Sequence, residues 1–261
     1  MGQLTDPTLI ELSADATWPA QTSEPLGPWR LRATHGYSHR ANSVRTVCAD
    51  RRTSAGGSWE ELIQQAETFY RQQHLPAIFH ISPATVPHDL DQILTRRGYG
   101  VENVAEVWSG NPGEVREATA YREVFDEIVM RDEPDAAWLR CAVDEHIGPL
   151  KIREEICRRV PPPRLFASMV EKNEPVARGL GAVHGGIGWV YCMATVADHQ
   201  RRGYARWILN RLADWSKTNG AHSLCLQVLA SNVAARSLYS GATFRKQYDY
   251  HYRVSAGGVL I

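Results

Sequence analysis

The sequence predicts a mixed α/β (α+β) fold around one twisted sheet, and three observations carry that reading. Strand-like and helix-like patterns alternate along the C-terminal part as strand, two helices, three strands, helix, strand, helix, strands. Glycine and proline pairs stand between these segments, where the chain has to turn. The end of the first part also reads as a faint copy of the end of the second.

In the first part, Trp29–Thr34 and Ser43–Ala49 read as strands and Trp59–Gln73 as an amphipathic helix. Ala66–Ser82 then resembles Leu212–Val228, since both give a helix end, a short turn and a strand. A short helix ending in an aromatic residue follows in each, Asp89–Tyr99 against Ala234–Phe244. A last strand closes each unit, Val101–Trp108 against Lys246–Val254. The identities are few, so chance similarity of two helix-strand-helix units competes with duplication. The reading divides the chain into a first half, 1–113, and a second, 114–261.

In the second half, Val124–Met130 reads as a strand, and Asp132–His146 and Leu150–Val160 as helices broken at Gly148-Pro149. Three consecutive prolines, Pro161 to Pro163, end the second helix and lead into an extended run, Leu165–Glu171. Glu174–His184 and Gly188–Val196 form a hairpin about Gly185-Gly186. Then come a helix over Gly203–Lys217, a strand over Ser223–Leu229, a helix over Asn232–Ser240 and strands across Thr243–Val254.

The bulk numbers fit a globular protein. Of 261 residues, 43% are hydrophobic and 22% charged, enough for a buried core. A formal net charge of zero argues against a broad footprint for nucleic acid or anionic membrane. No apolar run approaches the ~18–20 residues of a membrane-spanning helix. Met1 to Thr17 has neither the basic nor the apolar segment of a secretory signal. The five cysteines lack CxxC or zinc-finger spacing, so the expectation is no metal, free thiols and a reducing cytoplasmic setting.

One segment carries chemistry. Gln200-Arg201-Arg202-Gly203-Tyr204-Ala205 follows the apolar run Val190–Val196 and opens a helix with Ile208, Leu209, Leu212 and Trp215 on one face. Free backbone N–H groups and the positive end of the helix dipole make such a start a pyrophosphate cradle. Gly203 and Ala205 let the backbone come close, Arg201 and Arg202 add charge, and Gln200 adds a donor. Alone, this hexapeptide is also what an ordinary polar helix start gives. Its context is stronger, because a strand and then Asn232-Val233-Ala234-Ala235-Arg236-Ser237-Leu238-Tyr239 follow.

With Gln-x-x-Gly-x-Ala, the strand before it, and Asn-x-x-Ala-x-x-Leu-Tyr ahead of a glycine and Phe244, the chain resembles the GNAT superfamily of acyl-CoA-dependent N-acyltransferases. The resemblance covers about Phe125 to Val254 and is dense from Val190 to Phe244. It is nearest to bacterial members whose first acyltransferase-like half is degenerate. It implies a mixed, mostly antiparallel twisted sheet flanked by helices, and acetyl-CoA as co-substrate. Residues Gln200 to Ala205 would bind the cofactor together with Ala194, Val196 and Asn232. Backbone amides at Ala194 and Val196 would meet the oxyanion, and Tyr239 would act as general acid toward the leaving thiolate. Two departures stand out: Ala205 replaces a frequent glycine, and Ser-Gly-Ala-Thr-Phe stands in place of the usual Leu-Gly-Phe after the tyrosine, which can displace the helix end.

Plainer readings stand beside these roles. Tyr239 can be a packing tyrosine; Asn232 can be only a helix N-cap, with Ser231 its rival. Tyr248-Asp249-Tyr250-His251-Tyr252 alternates on a late strand, as exposed residues or as a substrate wall. In the first half, the loop Asp50–Ser58 lacks the cradle spacing, Leu94 stands where the second half has Tyr239, and Pro87 or Val86 where it has Asn232. Gly181–Gly186 lacks the Lys and Ser/Thr of a phosphate loop, and its glycines read as hairpin glycines.

The group that takes the acceptor's proton is unassigned among Glu145, His146, Glu154, Glu155, His184 and water. The acceptor is an amine of open identity, with no nucleic acid or membrane partner, and the chain a monomer or homodimer. The alternatives to catalysis are a non-catalytic acyl-CoA-binding module, a transferase taking aminoacyl groups from tRNA, which needs a basic track, and a pure interaction protein.

Overall fold

The computed structural model describes residues 6–47, 57–120, 128–142 and 149–256. It divides the chain into two compact units, Asp6–Glu106 together with the chain from Tyr248, and Val107–Gln247. The last strand thus gives its first residues to one unit and its remainder to the other.

The first unit opens with helix α1 (Pro7–Thr17), capped by Asp6 with proline in its first turn. Hairpin β1 (Thr22–Leu26) and β2 (Trp29–Ala33) follows, then β3 (Val44–Arg45). Helix α2 (Trp59–Gln72) begins in a full capping box, Ser58 with Glu61. Strand β4 (Ile78–Ile81), helix α3 (Leu90–Arg96) and the part of strand β5 (Gly100–Gly110) up to Glu106 complete the run. Leu62, Ile63, Ala66 and Tyr70 on α2 pack on Trp29, Phe79, Leu90 and Leu94. α1 and β1 lie where composition offered only a polar stretch, and the Asp6–Pro7 start was the overlooked signal.

In the second unit come helix α4 (Pro112–Ala118), strand β6 (Ile128–Arg131) and helices α5 (Ala136–Arg140) and α6 (Leu150–Arg159). Of the expected helix Asp132–His146, residues 143–146 lie outside the described residues, and within the described ones only α5 is helical. Asp135 caps it late, through a 2.7 Å bond from the Trp138 amide, and Ala142 turns to a φ of 49° just beyond it. The expected strand at Val124–Met130 begins, within the described residues, at Ile128.

The rest matches the expected order: β7 (Arg164–Glu171), β8 (Glu174–His184), β9 (Ile187–Thr195), α7 (Tyr204–Thr218), β10 (Ser223–Leu229), α8 (Val233–Gly241) and β11 (Arg245–Val254). The β8–β9 hairpin turns on Gly185 and Gly186, both at positive φ. In the sheet, β10, β9, β8, β7 and β6 are successive neighbours. Their only parallel pairing among the registered ones is β9 with β10. Ile208, Leu209, Leu212 and Ala213 of α7 bury against Val190, Leu224 and Leu226. No described helix is long and apolar enough to cross a membrane.

Tyr248, Tyr250 and Tyr252 all point into the first unit and are buried, while Asp249 is exposed. Alternation held, but the tyrosines are core residues and not surface ones. Tyr248 donates a 2.9 Å hydrogen bond to Glu11 of α1, and Tyr252 lies against His80 and His39.

Candidate functional site

The site begins with an irregularity in β9. Against β8 the register runs Leu180↔Tyr191 and then Arg178↔Ala194, so Cys192 and Met193 together oppose Gly179. This is a β-bulge, and Cys192 takes a φ of 53° to make it. Gly179 opposite has no room for a side chain. A Cβ there would sit 2.6 Å from Ile208 Cγ2 and 2.7 Å from Met193 Sδ.

On its other side β9 pairs with β10 only from Ile187↔Ser223 to Val190↔Leu226. Both strands continue, to Thr195 and Leu229, without further registered pairs. The bulge bends one strand away from the other and leaves a cleft between them. An unpaired strand edge of this kind is a ready partner for an extended ligand carrying amides.

The chain leaves β9 through a short 3-10 turn, Ala197–His199, and enters α7. Two left-handed residues shape the entry, Arg201 at a φ of 64° and the N-cap Gly203 at 89°. Arg202 reaches back to the carbonyl of Asp198 at 2.8 Å and ties the loop. His199 faces Glu171 at 3.3 Å. The first amides of α7 have no partner within the helix, and its dipole directs partial positive charge to the same point.

These parts surround a cavity of about 490 Å³, lined by the β9 edge, the α7 entry and α8. Of the expected residues, Ala194, Gln200, Arg201, Gly203, Tyr204, Ala205 and Tyr239 line it. Val196, Arg202 and Asn232 do not. The Val196 amide donates to the Val176 carbonyl at 2.9 Å, so it is spent on β8. Amide direction alternates along an antiparallel ladder, which turns Ala194 the same way and Thr195 the other way, toward the cleft. The expected amide donors at Ala194 and Val196 are therefore corrected to the Thr195 position. Consistently, Gln200 Nε2 reaches the Thr195 carbonyl at 3.4 Å.

Asn232 caps α8, its side chain accepting from the Ala235 amide at 3.0 Å. Its plainer role is filled. Tyr239, on α8, is buried, and burial pushes its phenol up to about 12. Its hydroxyl has no hydrogen-bond partner among the described residues. The helix end is not displaced: α8 closes in a Schellman turn, in which Phe244 N–H donates to the Tyr239 carbonyl at 3.0 Å and Thr243 N–H to the Ser240 carbonyl at 3.2 Å. In the first half Tyr99 and Gly98 make the same two bonds, to Leu94 and Thr95. Leu94 thus occupies the turn position that Tyr239 occupies in the second half.

The motif did not point to Met193, Thr195, His199, Arg206, Ser237 and Leu238, which also line the cavity. Arg206 was recoverable as a cation one residue past the motif; the others enter only through the bulge and the facing helix. The proposed bases stay apart. Glu154 pairs with Arg158 at 2.9 Å, Glu155 and His184 are outside the cavity lining, and Glu145 and His146 lie outside the described residues.

The family model described as "Probable histone acetyltransferase Rv0428c C-terminal" matches residues 8–253. An uncharacterized N-acetyltransferase of Bacillus subtilis, YobR, is 32% identical over 250 residues, 94% of this chain and 97% of that protein. In fold, the chain is similar to a GCN5-related N-acetyltransferase from Kribbella flavida, with a TM-score of 0.67 at 12% identity over 98% of both chains. It is also similar to a tandem GNAT protein of the clavulanic acid biosynthesis pathway, with a TM-score of 0.64 at 10% identity, over 97% of this chain and 89% of that one.

Proposed function

Since the chain belongs to the Rv0428c C-terminal family of acetyltransferases, within the GNAT superfamily, we propose that it moves an acetyl group from acetyl-CoA to an amine by direct attack in a ternary complex. The observation that carries the reading is the loss of β9–β10 pairing after Val190↔Leu226, with the α7 entry and Tyr239 on the same cavity.

The pyrophosphate would lie at the first amides of α7, with Arg201 and Arg206 adding charge. The pantetheine arm would run along the free β9 edge, exchanging amide hydrogen bonds with Thr195. The acceptor amine attacks the thioester carbonyl and loses a proton to a base or water that we leave unassigned. As the tetrahedral intermediate collapses, the C–S bond breaks and the sulfur takes a proton from Tyr239. A phenol pushed up to about 12 stays protonated across the working range, so the donor is always charged with its proton. Arg202 would act indirectly, by tying the cradle loop, and Asn232 by capping the helix that carries Tyr239.

In this reading the half 114–261 carries the chemistry and 1–113 is a degenerate copy that kept the turn of α3 but has leucine for the tyrosine. One acetyl-CoA binds per chain, and no metal takes part. The free thiols suit the cytoplasm, where such groups stay reduced. Release of CoA from acetyl-CoA across a panel of small amines, amino acids and lysine peptides tests the activity. Tight CoA binding with no turnover on any amine would favour a binding module instead.

A further inference from the structure

The bulge that opens the cleft also carries a thiol pair. The Cys157 thiol, on α6, is hydrogen-bonded to that of Cys192, at the bulge next to the cavity-lining Met193. Cys157 is buried, whereas Cys192 is half-buried and reachable by a small reagent. Two guanidinium groups, Arg178 and Arg153, act on Cys157 electrostatically. Arg178 is itself buried, 4.7 Å over the Trp138 ring, and gives its Nη1 to the carbonyls of Trp138 and Leu139. No carboxylate among the described residues pairs with it.

This environment has a chemical consequence. A cationic surrounding and an S–H donor both stabilise a neighbouring thiolate, the form that reacts with oxidants. Cys157 keeps its proton strongly, because it shares it with Cys192 and because it is buried. Cys192, the partly exposed member of the pair, is then the sulfur that an oxidant meets first. The other buried cysteines differ: burial pushes Cys141 up to about 11 and Cys225 up to about 12, and neither has a thiol partner among the described residues.

We propose that Cys157 and Cys192 are a redox-reactive dithiol that hydrogen peroxide converts to a disulfide, and that this bond suppresses acetyl transfer by pinning the β9 bulge to α6. In the first step the Cys192 thiolate attacks peroxide, the O–O bond breaks, and Cys192 sulfenic acid and, after protonation, one water form. In the second, the Cys157 sulfur attacks the sulfenic sulfur, its proton leaves with the hydroxyl as a second water, and the S–S bond closes. Two electrons pass from the two thiols to one peroxide.

The effect on turnover rests on the cavity being the acyl-CoA site; formation of the disulfide does not. The test treats the full chain with hydrogen peroxide, blocks the remaining thiols and reads a protease digest by mass spectrometry, with acetylated amine measured in parallel. The expected result is a reducible cross-link joining the peptides of Cys157 and Cys192, and a loss of product formation that dithiothreitol restores. Cys192→Ser should abolish both, and Cys157→Ser should leave Cys192 as its sulfinic acid. A Cys192 oxidised without cross-link in the wild-type chain, or an unmodified pair, overturns the dithiol. A cross-linked enzyme of undiminished turnover overturns the suppression. Absent turnover in the reduced chain, with the cross-link present, would count against the acetyltransferase reading and leave the dithiol standing.

Discussion

Phe244 and Tyr239 hold each other in place at the end of α8: the amide of Phe244 donates to the carbonyl of Tyr239 at 3.0 Å, and their rings meet edge-on with centroids 5.9 Å apart. The hydrophobic contact and the backbone bond are the two signatures of one Schellman turn. The phenol proposed as the acid is therefore fixed by the residue that immediately precedes β11.

Tyr239→Phe removes the hydroxyl and keeps the ring contact. We expect kcat to fall about 100-fold, the lower end for general acid–base groups, while acetyl-CoA still raises the melting temperature. Steady-state kinetics with a thermal-shift series separate the two, and unchanged turnover would exclude Tyr239 from proton transfer.

Thr243 takes the left-handed position of that turn at a φ of 67°, with its hydroxyl buried and without a partner among the described residues. Its counterpart in the first half is Gly98, at 81°. A β-branched residue is strained there and glycine is not, so Thr243→Gly should stabilise the fold by about 1 kcal/mol. Urea unfolding measures this directly; a loss of stability would mean that the threonine methyl packs better than the turn geometry implies.

Gly203 caps α7 at a φ of 89° and lines the cavity. Gly203→Val should raise KM for acetyl-CoA by ten-fold or so, from about 1–2 kcal/mol of backbone strain at the cradle, with kcat much less affected. Calorimetric titration with CoA checks the binding part, and an unaltered affinity would remove this loop from pyrophosphate recognition.

Glu11 and His80 predict opposite pH limbs for stability. Burial raises the Glu11 carboxyl from 4.5 to about 7 and lowers the His80 imidazole from 6.5 to about 3. The folded chain keeps the Glu11 proton that the unfolded chain releases, so stability falls as pH rises from 4.5 to 7. It keeps His80 neutral where the unfolded chain is protonated, so stability falls as pH drops from 6.5 toward 3. Glu11→Gln should retain the Tyr248 bond and be more stable than wild type above pH 7, by up to about 3 kcal/mol, with the gap closing toward pH 4.5. Denaturation curves at pH 5 and pH 8 decide it; an equal difference at both would rule out Glu11 ionisation as the cause.

The helix α7, its glycine cap and the strands around it were legible because periodicity and turn residues are local properties of the chain. Helix α5 was overestimated because apolar spacing runs on through Cys141, whereas the late cap at Asp135 and the turn at Ala142 decide its length. The aromatic run Tyr248–Tyr252 showed its alternation but not its destination, since its partners Glu11, His39 and His80 lie far away in sequence.

The amino-acid sequence by itself determined that an anion cradle opens α7 and that a capped helix bearing Tyr239 follows, because a glycine, a cap and an amphipathic period act within a few residues. Tertiary structure alone decided which amide faces the cleft. One bulge residue at Cys192 and the end of pairing at Val190↔Leu226 set that direction, and both depend on neighbouring strands that no local pattern in β9 records. The same bulge brought Cys192 to Cys157, a contact fixed by how α6 packs on the sheet and not by any spacing between the two cysteines.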